Sequence, residues 1–140
     1  MPGYSSTPLA KKLGIKPGFR IRPKNEPIPY GALVRIDDAD GVAISSRFRA
    51  NVDLWHLFTR SERELADTLP LAMRQIAPDG MIWVSWPKRS SGVPSQIGED
   101  DVRRHALPLG LVDVKVCAVD DVWSGLKLVI RKEHRSRKRA

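Results

Sequence analysis

Three cations, Lys24, Arg60 and Lys88, each stand just beyond a stretch that reads as a β-strand. In an open α/β sheet, ligands bind beyond the carboxyl ends of the strands. That rule selects Lys24, Asn25 and Glu26 after the first strand, Thr59, Arg60 and Ser61 after the strand that holds Trp55, and Ser85, Trp86 and Lys88 after the one that holds Trp83. Ser61 also opens a helix, and a helix N-terminus offers free backbone donors to an anion. The chemistry this set suits is the binding of a small anionic or phosphate-bearing ligand by Lys24, Arg60 and Lys88. The competing reading is that these are ordinary exposed loop cations.

Residues able to catalyse a reaction are scarce. Glu26 and His56 are the two candidates for handling a proton. His56 lies inside the apolar run of residues 51–59, which favours a core histidine satisfied by a backbone partner over a base or a ligand. Cys117 is the single cysteine, closes no internal disulfide, and sits in a strand-like stretch as a small apolar residue. There is no Ser-His-acid order, no pair of histidines at ligand spacing and no Cys/His cluster, so neither a triad nor a metal site is expected. Trp86 and Trp123 flank loops and can stack on a ring, although packing is the commoner use of tryptophan. Trp55 and Trp83 are expected in the core. Asp120-Asp121 reads as a solvated hairpin turn.

The elements that must position these groups follow from local signals. Thr7-Pro8 with Gly14 brackets a short first helix, Thr7 as cap and Gly14 just past the end. Phe19-Arg20-Ile21-Arg22 reads as a strand, stopped by Pro23, Pro27 and Pro29, and residues 30–36 suit a short helix. Val42-Ala43-Ile44-Ser45-Ser46 is a second strand, and residues 51–59 a third, apolar enough to be covered on both faces. Ser61-Glu62-Arg63-Glu64 is a capping box, followed by Leu65, Leu69, Met73 and Ile76 at helical spacing. Pro70 is expected to kink that helix or start another. Pro78-Asp79-Gly80 reads as a turn before the strand Met81-Ile82-Trp83-Val84-Ser85-Trp86. After a long turn-rich loop, Glu99-Asp100-Asp101 opens a further helix, interrupted at Pro108 and ended by Gly110. Residues 111–119 and 125–131 make two last strands, too close in sequence for a parallel crossover and therefore a hairpin.

This alternation predicts one α/β domain over residues 1–131, with a mostly parallel sheet, helices on both faces and an antiparallel closing strand. The chain has 140 residues and a net charge of +8, but the charge is not spread evenly. Residues 1–35 carry seven Lys/Arg against one acid, residues 36–130 eleven against fourteen, and residues 131–140 six against one. The body is mildly acidic and the ends are basic. Residues 132–140 are expected to be a disordered basic tail, able to make weak, sequence-independent contact with nucleic acid or simply to stay solvated. No run of 18 apolar residues exists, which argues against a membrane span, and no secretory signal leads the chain, which places it in the cytoplasm as an expectation.

Two resemblances add to this reading. Residues 13–21, Asp53-Leu54-Trp55-His56-Leu57-Phe58 and Ile76-Ala77-Pro78-Asp79-Gly80-Met81-Ile82-Trp83-Val84 resemble the first, fourth and fifth strand regions of S-adenosylmethionine-dependent methyltransferases. Residues 7–18, Val84-Ser85-Trp86-Pro87-Lys88 with Ser91-Gly92-Val93, and residues 112–129 are similar to an uncharacterised family of bacterial domains of unknown function, over about residues 3–131. The resemblance implies a single Rossmann-like three-layer domain of methyltransferase-like topology, lacking part of the N-terminal half. It assigns no activity. Methyltransferases need a glycine-rich turn after the first strand, where the cofactor lies against the backbone. Here that turn is Arg22-Pro23-Lys24-Asn25-Glu26-Pro27, without glycine. They also end the second strand in an acid, whereas Ser45-Ser46-Arg47 stands here. The expectation is a non-catalytic Rossmann-like module that binds a small anionic ligand or a protein partner. No cofactor is predicted, although S-adenosylmethionine is possible. The alternatives are a divergent methyltransferase and a nucleic-acid-associated protein using its basic ends.

Overall fold

The computed structural model describes residues 7–36 and 40–135. Six strands form one sheet: β1 (Arg20–Lys24), β2 (Ala43–Ile44), β3 (Val52–Phe58), β4 (Ile76–Pro87), β5 (Leu111–Ala118) and β6 (Trp123–Ile130). Their order is β2-β1-β3-β4-β6-β5. β1 to β4 run parallel, and β6 is antiparallel to both β4 and β5. Helices α1 (Leu9–Leu13) and α2 (Tyr30–Val34) cover one face, and α3 (Glu62–Gln75) and α4 (Glu99–Ala106) the other. This is the single Rossmann-like α/β layout expected, with the antiparallel strand inserted beside β4.

Alternation of side chains along the buried strands supplies both cores. Trp55, Leu57, Ile82, Val84, Leu126 and Leu128 point towards α3 and α4, meeting Leu65, Leu69, Ala72 and Val102. Leu54, Phe58, Met81 and Trp83 point the other way, meeting Leu13, Tyr30 and Val34. Trp83 Nε1 donates to the Leu13 carbonyl at 3.0 Å, which fastens the end of α1 to the middle of the sheet. Trp55 Nε1 donates to Gln75 Oε1 at 2.9 Å on the opposite face. Both indoles are in the core, as expected, with their polar edges satisfied.

Several local expectations change. α1 starts at Leu9 with Pro8 at its N-cap and without a side-chain cap, so Thr7 does not fill that role, whereas Gly14 ends the helix at φ 82° as expected. β1 runs through Pro23. β2 pairs with β1 only at Arg20 and Ile21, so the missing Pro23 donor faces a side where the sheet has already ended. β2 is two residues long, and residues 45–51 then return to β3 without a helix. Phe48 of that strap packs on the α3 side, beneath the Arg20 guanidinium at 4.0 Å, and accepts through its carbonyl from Arg22 at 3.1 Å. α3 continues through Pro70. An interior proline costs about 3 kcal/mol, and burial of Leu65, Leu69 and Ala72 on the same helix offsets it.

The Pro78-Asp79-Gly80 turn is absorbed into β4 as a bulge: Ile76 faces Val52 and Met81 faces Leu54, so a step of five residues along β4 matches a step of two along β3. Gly80 is required there, because a Cβ would lie 2.8 Å from the Val52 carbonyl oxygen. Pro108 falls in a 3-10 turn after α4 rather than inside it. Lys132–His134 form another such turn, and residues 136–140 of the expected tail lie outside the described residues. Among the described residues no helix is long and apolar enough to cross a membrane.

Candidate functional site

From β1 the chain passes to β2 on one side and then returns to β3 on the other. The reversal leaves a crevice at the carboxyl ends of β1 and β3, the switch point at which open α/β sheets bind ligands. A cleft of about 750 Å³ occupies that position. Its walls are Asn25 after β1, Phe58 and Thr59 at the end of β3, Arg60, Ser61 and Glu64 at the start of α3, residues 94–96 of the loop before α4, and Trp123. Trp123 reaches this end because β6 enters the sheet antiparallel, opposite Pro87.

Glu64 is the electrostatic centre of the cleft. Its carboxylate accepts from Thr59 Oγ1 at 2.5 Å and from Asn25 Nδ2 at 3.0 Å, and Lys24 Nζ stands 3.8 Å away. The capping box is therefore half made. Ser61 Oγ accepts from the Glu64 amide at 3.1 Å, but the Ser61 amide donates to Thr59 Oγ1 instead of to Glu64. Sequence alone does not mark Glu64 as a site residue, because its spacing from Ser61 explains it fully as a helix cap.

The N-terminus of α3 is less open to an anion than the sequence implies. The Glu62 amide donates to Gln96 Oε1 at 3.0 Å, the Glu64 amide to Ser61 Oγ, and the Leu65 amide to the Ser61 carbonyl. Gln96 comes from a loop tied to the same corner, its own amide bonded to the Arg60 carbonyl at 2.9 Å. Arg60 is exposed, and its guanidinium reaches the Pro94 carbonyl at 3.5 Å.

Asn25 occupies the turn in which glycine is missing. Its φ is 61°, a left-handed conformation that asparagine tolerates better than most residues. Its side chain then crosses the crevice, Nδ2 donating both to the Phe58 carbonyl at 3.1 Å and to Glu64. The backbone course that glycine would permit is kept, while the space a glycine would leave is filled.

The remaining expected site residues separate. Lys24 lies beside the cleft with Glu64, in a shallow depression shared with Arg63 and Asp67. Lys88 sits at the start of the loop after β4, its amide held by the Val122 carbonyl at 2.7 Å. Of the three cations, Arg60 is the one lining the cleft. Glu26 is half-buried next to Asn25 and outside the lining. Trp86 is packed in the α3–α4 core, with an edge on a neighbouring groove formed by residues 92–101. Ser85 is fully buried.

Ser85 belongs instead to a buried polar chain behind the cleft. His56 Nδ1 lies 2.7 Å from the Tyr30 hydroxyl, and His56 Nε2 lies 2.8 Å from Ser85 Oγ. A neutral imidazole donates through one nitrogen and accepts at the other, and the two hydroxyls satisfy either tautomer. The ring stacks on Phe58 at 4.2 Å between centroids. His56 is thus a core histidine held by two side-chain hydroxyls, not by the backbone partner expected. Complete burial lowers its pKa from 6.5 to about 3, so it stays neutral. Burial, and then the Glu26 charge, pushes the Tyr30 phenol well above its ordinary value. Asp120 has a structural role, Oδ1 accepting from the Val122 and Trp123 amides at 2.8 and 2.7 Å.

Comparison with known proteins places this architecture. Residues 35–132 match a family described as protein of unknown function, DUF3052. The chain belongs to that family. No curated protein matches this DUF3052 chain. Among solved structures, it is similar to a type 11 methyltransferase, so named provisionally, from Sulfolobus solfataricus, with a TM-score of 0.56, 14% identity, and coverage of 94% of this chain and 93% of the other. It is also similar to a protein of the NADB-Rossmann superfamily from Streptococcus agalactiae (0.55, 10% identity, 91% and 70% covered). A third likeness is to Aeropyrum pernix fibrillarin, solved with natively bound S-adenosyl-L-methionine (0.53, 16% identity, 86% and 73% covered). At such identities the likeness is one of fold: Rossmann-like and methyltransferase-like.

Proposed function

We propose that this DUF3052 chain is a non-catalytic ligand-binding module that holds a small anionic molecule in the switch-point cleft. One observation carries the reading: the cleft persists at the position where this fold class binds ligands, yet the Asn25 side chain spans the corner against which an adenosyl cofactor would lie. An S-adenosylmethionine seated along that turn meets the Asn25 amide and the Glu64 carboxylate rather than open backbone. The residues present fit that cofactor poorly.

The lining supports a different occupant. Arg60 offers a cation to an anionic group, and Trp123 with the edge of Phe58 offers an apolar wall to a flat one. The Ser61 hydroxyl and the Gln96 side-chain amide nitrogen keep donors for a ligand at the rim, whereas Thr59 and Ser95 donate to Glu64 and to the Ile97 carbonyl. The volume suits a metabolite-sized ligand. His56, buried and neutral, has no route to a substrate proton, and Glu64 is already engaged by three partners. Thermal-shift screening of wild-type protein against nucleotides and anionic metabolites is expected to give at least one stabilising ligand whose shift is lost in Arg60→Ala. Micromolar binding of S-adenosylmethionine by isothermal titration, undiminished by Arg60→Ala, would overturn the reading.

A further inference from the structure

Four lysines gather on the α1 side of the sheet, and none of them lines the cleft. Lys115 and Lys127 are direct cross-strand partners in β5 and β6, so their side chains leave the same face. Lys127 Nζ lies 3.7 Å from where a Cβ on Gly14 would stand, which puts the ammonium against the end of α1. Lys12 approaches from α1 and Lys16 from the loop after it: Lys127 feels the charges of Lys115 and Lys16, and Cys117 of β5 feels those of Lys12 and Lys115. Burial together with these neighbours lowers the Lys127 pKa. None of the four ammonium groups has an ion-pair or hydrogen-bond partner among the described residues, whereas the cations of α4 are all paired with acids.

Like charges placed opposite one another weaken a sheet. A lysine on an edge strand deters unwanted pairing, which accounts for Lys115 alone. It does not account for Lys127 on the inner strand, nor for two further lysines arriving from another element. The exposed valines of this edge, Val114 and Val116, do not turn the patch into a membrane surface: Val116 pairs with Leu126 on the opposite face, and Val114 is the bulged residue between the paired positions. The aromatics nearest these lysines are packed rather than offered: Trp83, opposite Lys127, is fully buried, and Phe19, bonded through its amide to the Lys16 carbonyl, packs against the same core. A single strand is held largely by stacking its bases on exposed aromatic rings, whereas a duplex, its bases already stacked on one another, can be held through its phosphates without any.

We propose that Lys12, Lys16, Lys115 and Lys127 form a docking surface for the phosphate backbone of double-stranded nucleic acid. The four lysines contribute about −3.6 to the slope of log affinity against log salt, and removing two takes away about 1.8 of it, whatever the basic tail adds. The test is fluorescence anisotropy of the full chain with a 20-base-pair DNA duplex of arbitrary sequence across a salt series. The double variant Lys115→Gln/Lys127→Gln is expected to bind roughly 60-fold more weakly at 0.1 M salt, with Lys115→Arg/Lys127→Arg restoring affinity. The same glutamine variant should unfold at an equal or higher temperature, since it relieves repulsion; a purely structural role would lower it. No binding, binding and slope unchanged in the glutamine variant, tighter binding of single strands, or preference for anionic lipid vesicles would each overturn the proposal.

Discussion

Replacing His56 by glutamine separates packing from titration. The wild-type ring is neutral and buried in the native state but free to take a proton when the chain unfolds. Its folded pKa, about 3, lies below the unfolded value of 6.5, so the unfolded state binds the extra proton between them. Stability contributed by the neutral ring is complete above pH 6.5 and is lost as the pH falls towards 3. At pH 5 the loss is about 2 kcal/mol relative to pH 8, or roughly 6–10 °C in Tm for a domain of this length. Glutamine can still donate and accept but does not titrate. His56→Gln is therefore expected to be less stable at pH 8, yet to lose about 2 kcal/mol less than wild type between pH 8 and pH 5. Urea denaturation at the two pH values, followed by tryptophan fluorescence, measures both differences. Parallel pH dependence in the two proteins would refute the claim that His56 is held neutral by burial.

Other consequences can be checked one residue at a time. Asn25→Gly suits φ 61° and clears the corner, so its stability should change by less than about 1 kcal/mol while affinity for S-adenosylmethionine, measured by isothermal titration, rises. Asn25→Val puts a β-branched residue in the same conformation and should destabilise by about 1–2 kcal/mol in chemical denaturation. Gly80→Ala should cost about 1–3 kcal/mol, because its Cβ meets the Val52 carbonyl. Trp83→Phe leaves the Leu13 carbonyl without its donor and a gap beside it; a loss of about 2–3 kcal/mol is expected, with faster amide exchange in α1.

The centre of the sheet was legible because β3 and β4 are buried on two faces and read as apolar runs, and its far edge because too little chain separates Ala118 from Trp123 for anything but a hairpin, although β5 is largely exposed. Prolines misled where tertiary context overrode them. Pro23 lies in a strand beside a two-residue neighbour, and Pro70 in a helix whose other residues are well packed. The candidate site was legible only in outline. The strand-end rule selects Asn25, Thr59, Arg60 and Ser61, all of which line the cleft. The same rule also selects Ser85 and Trp86, because sequence does not say that β4 extends to Pro87 and that their side chains face the two cores. Gln96 and Pro94 were hidden in a long loop whose path depends on bonds to Arg60 and Glu62, contacts that no local pattern encodes.

The most direct test is an experimental structure of the full chain purified from cells without added ligand. This account predicts residual density between Arg60, Gln96 and Trp123, with the Asn25 amide still bonded to Glu64. A nucleoside lying against the backbone of residues 24–26, with Asn25 swung aside, would contradict it.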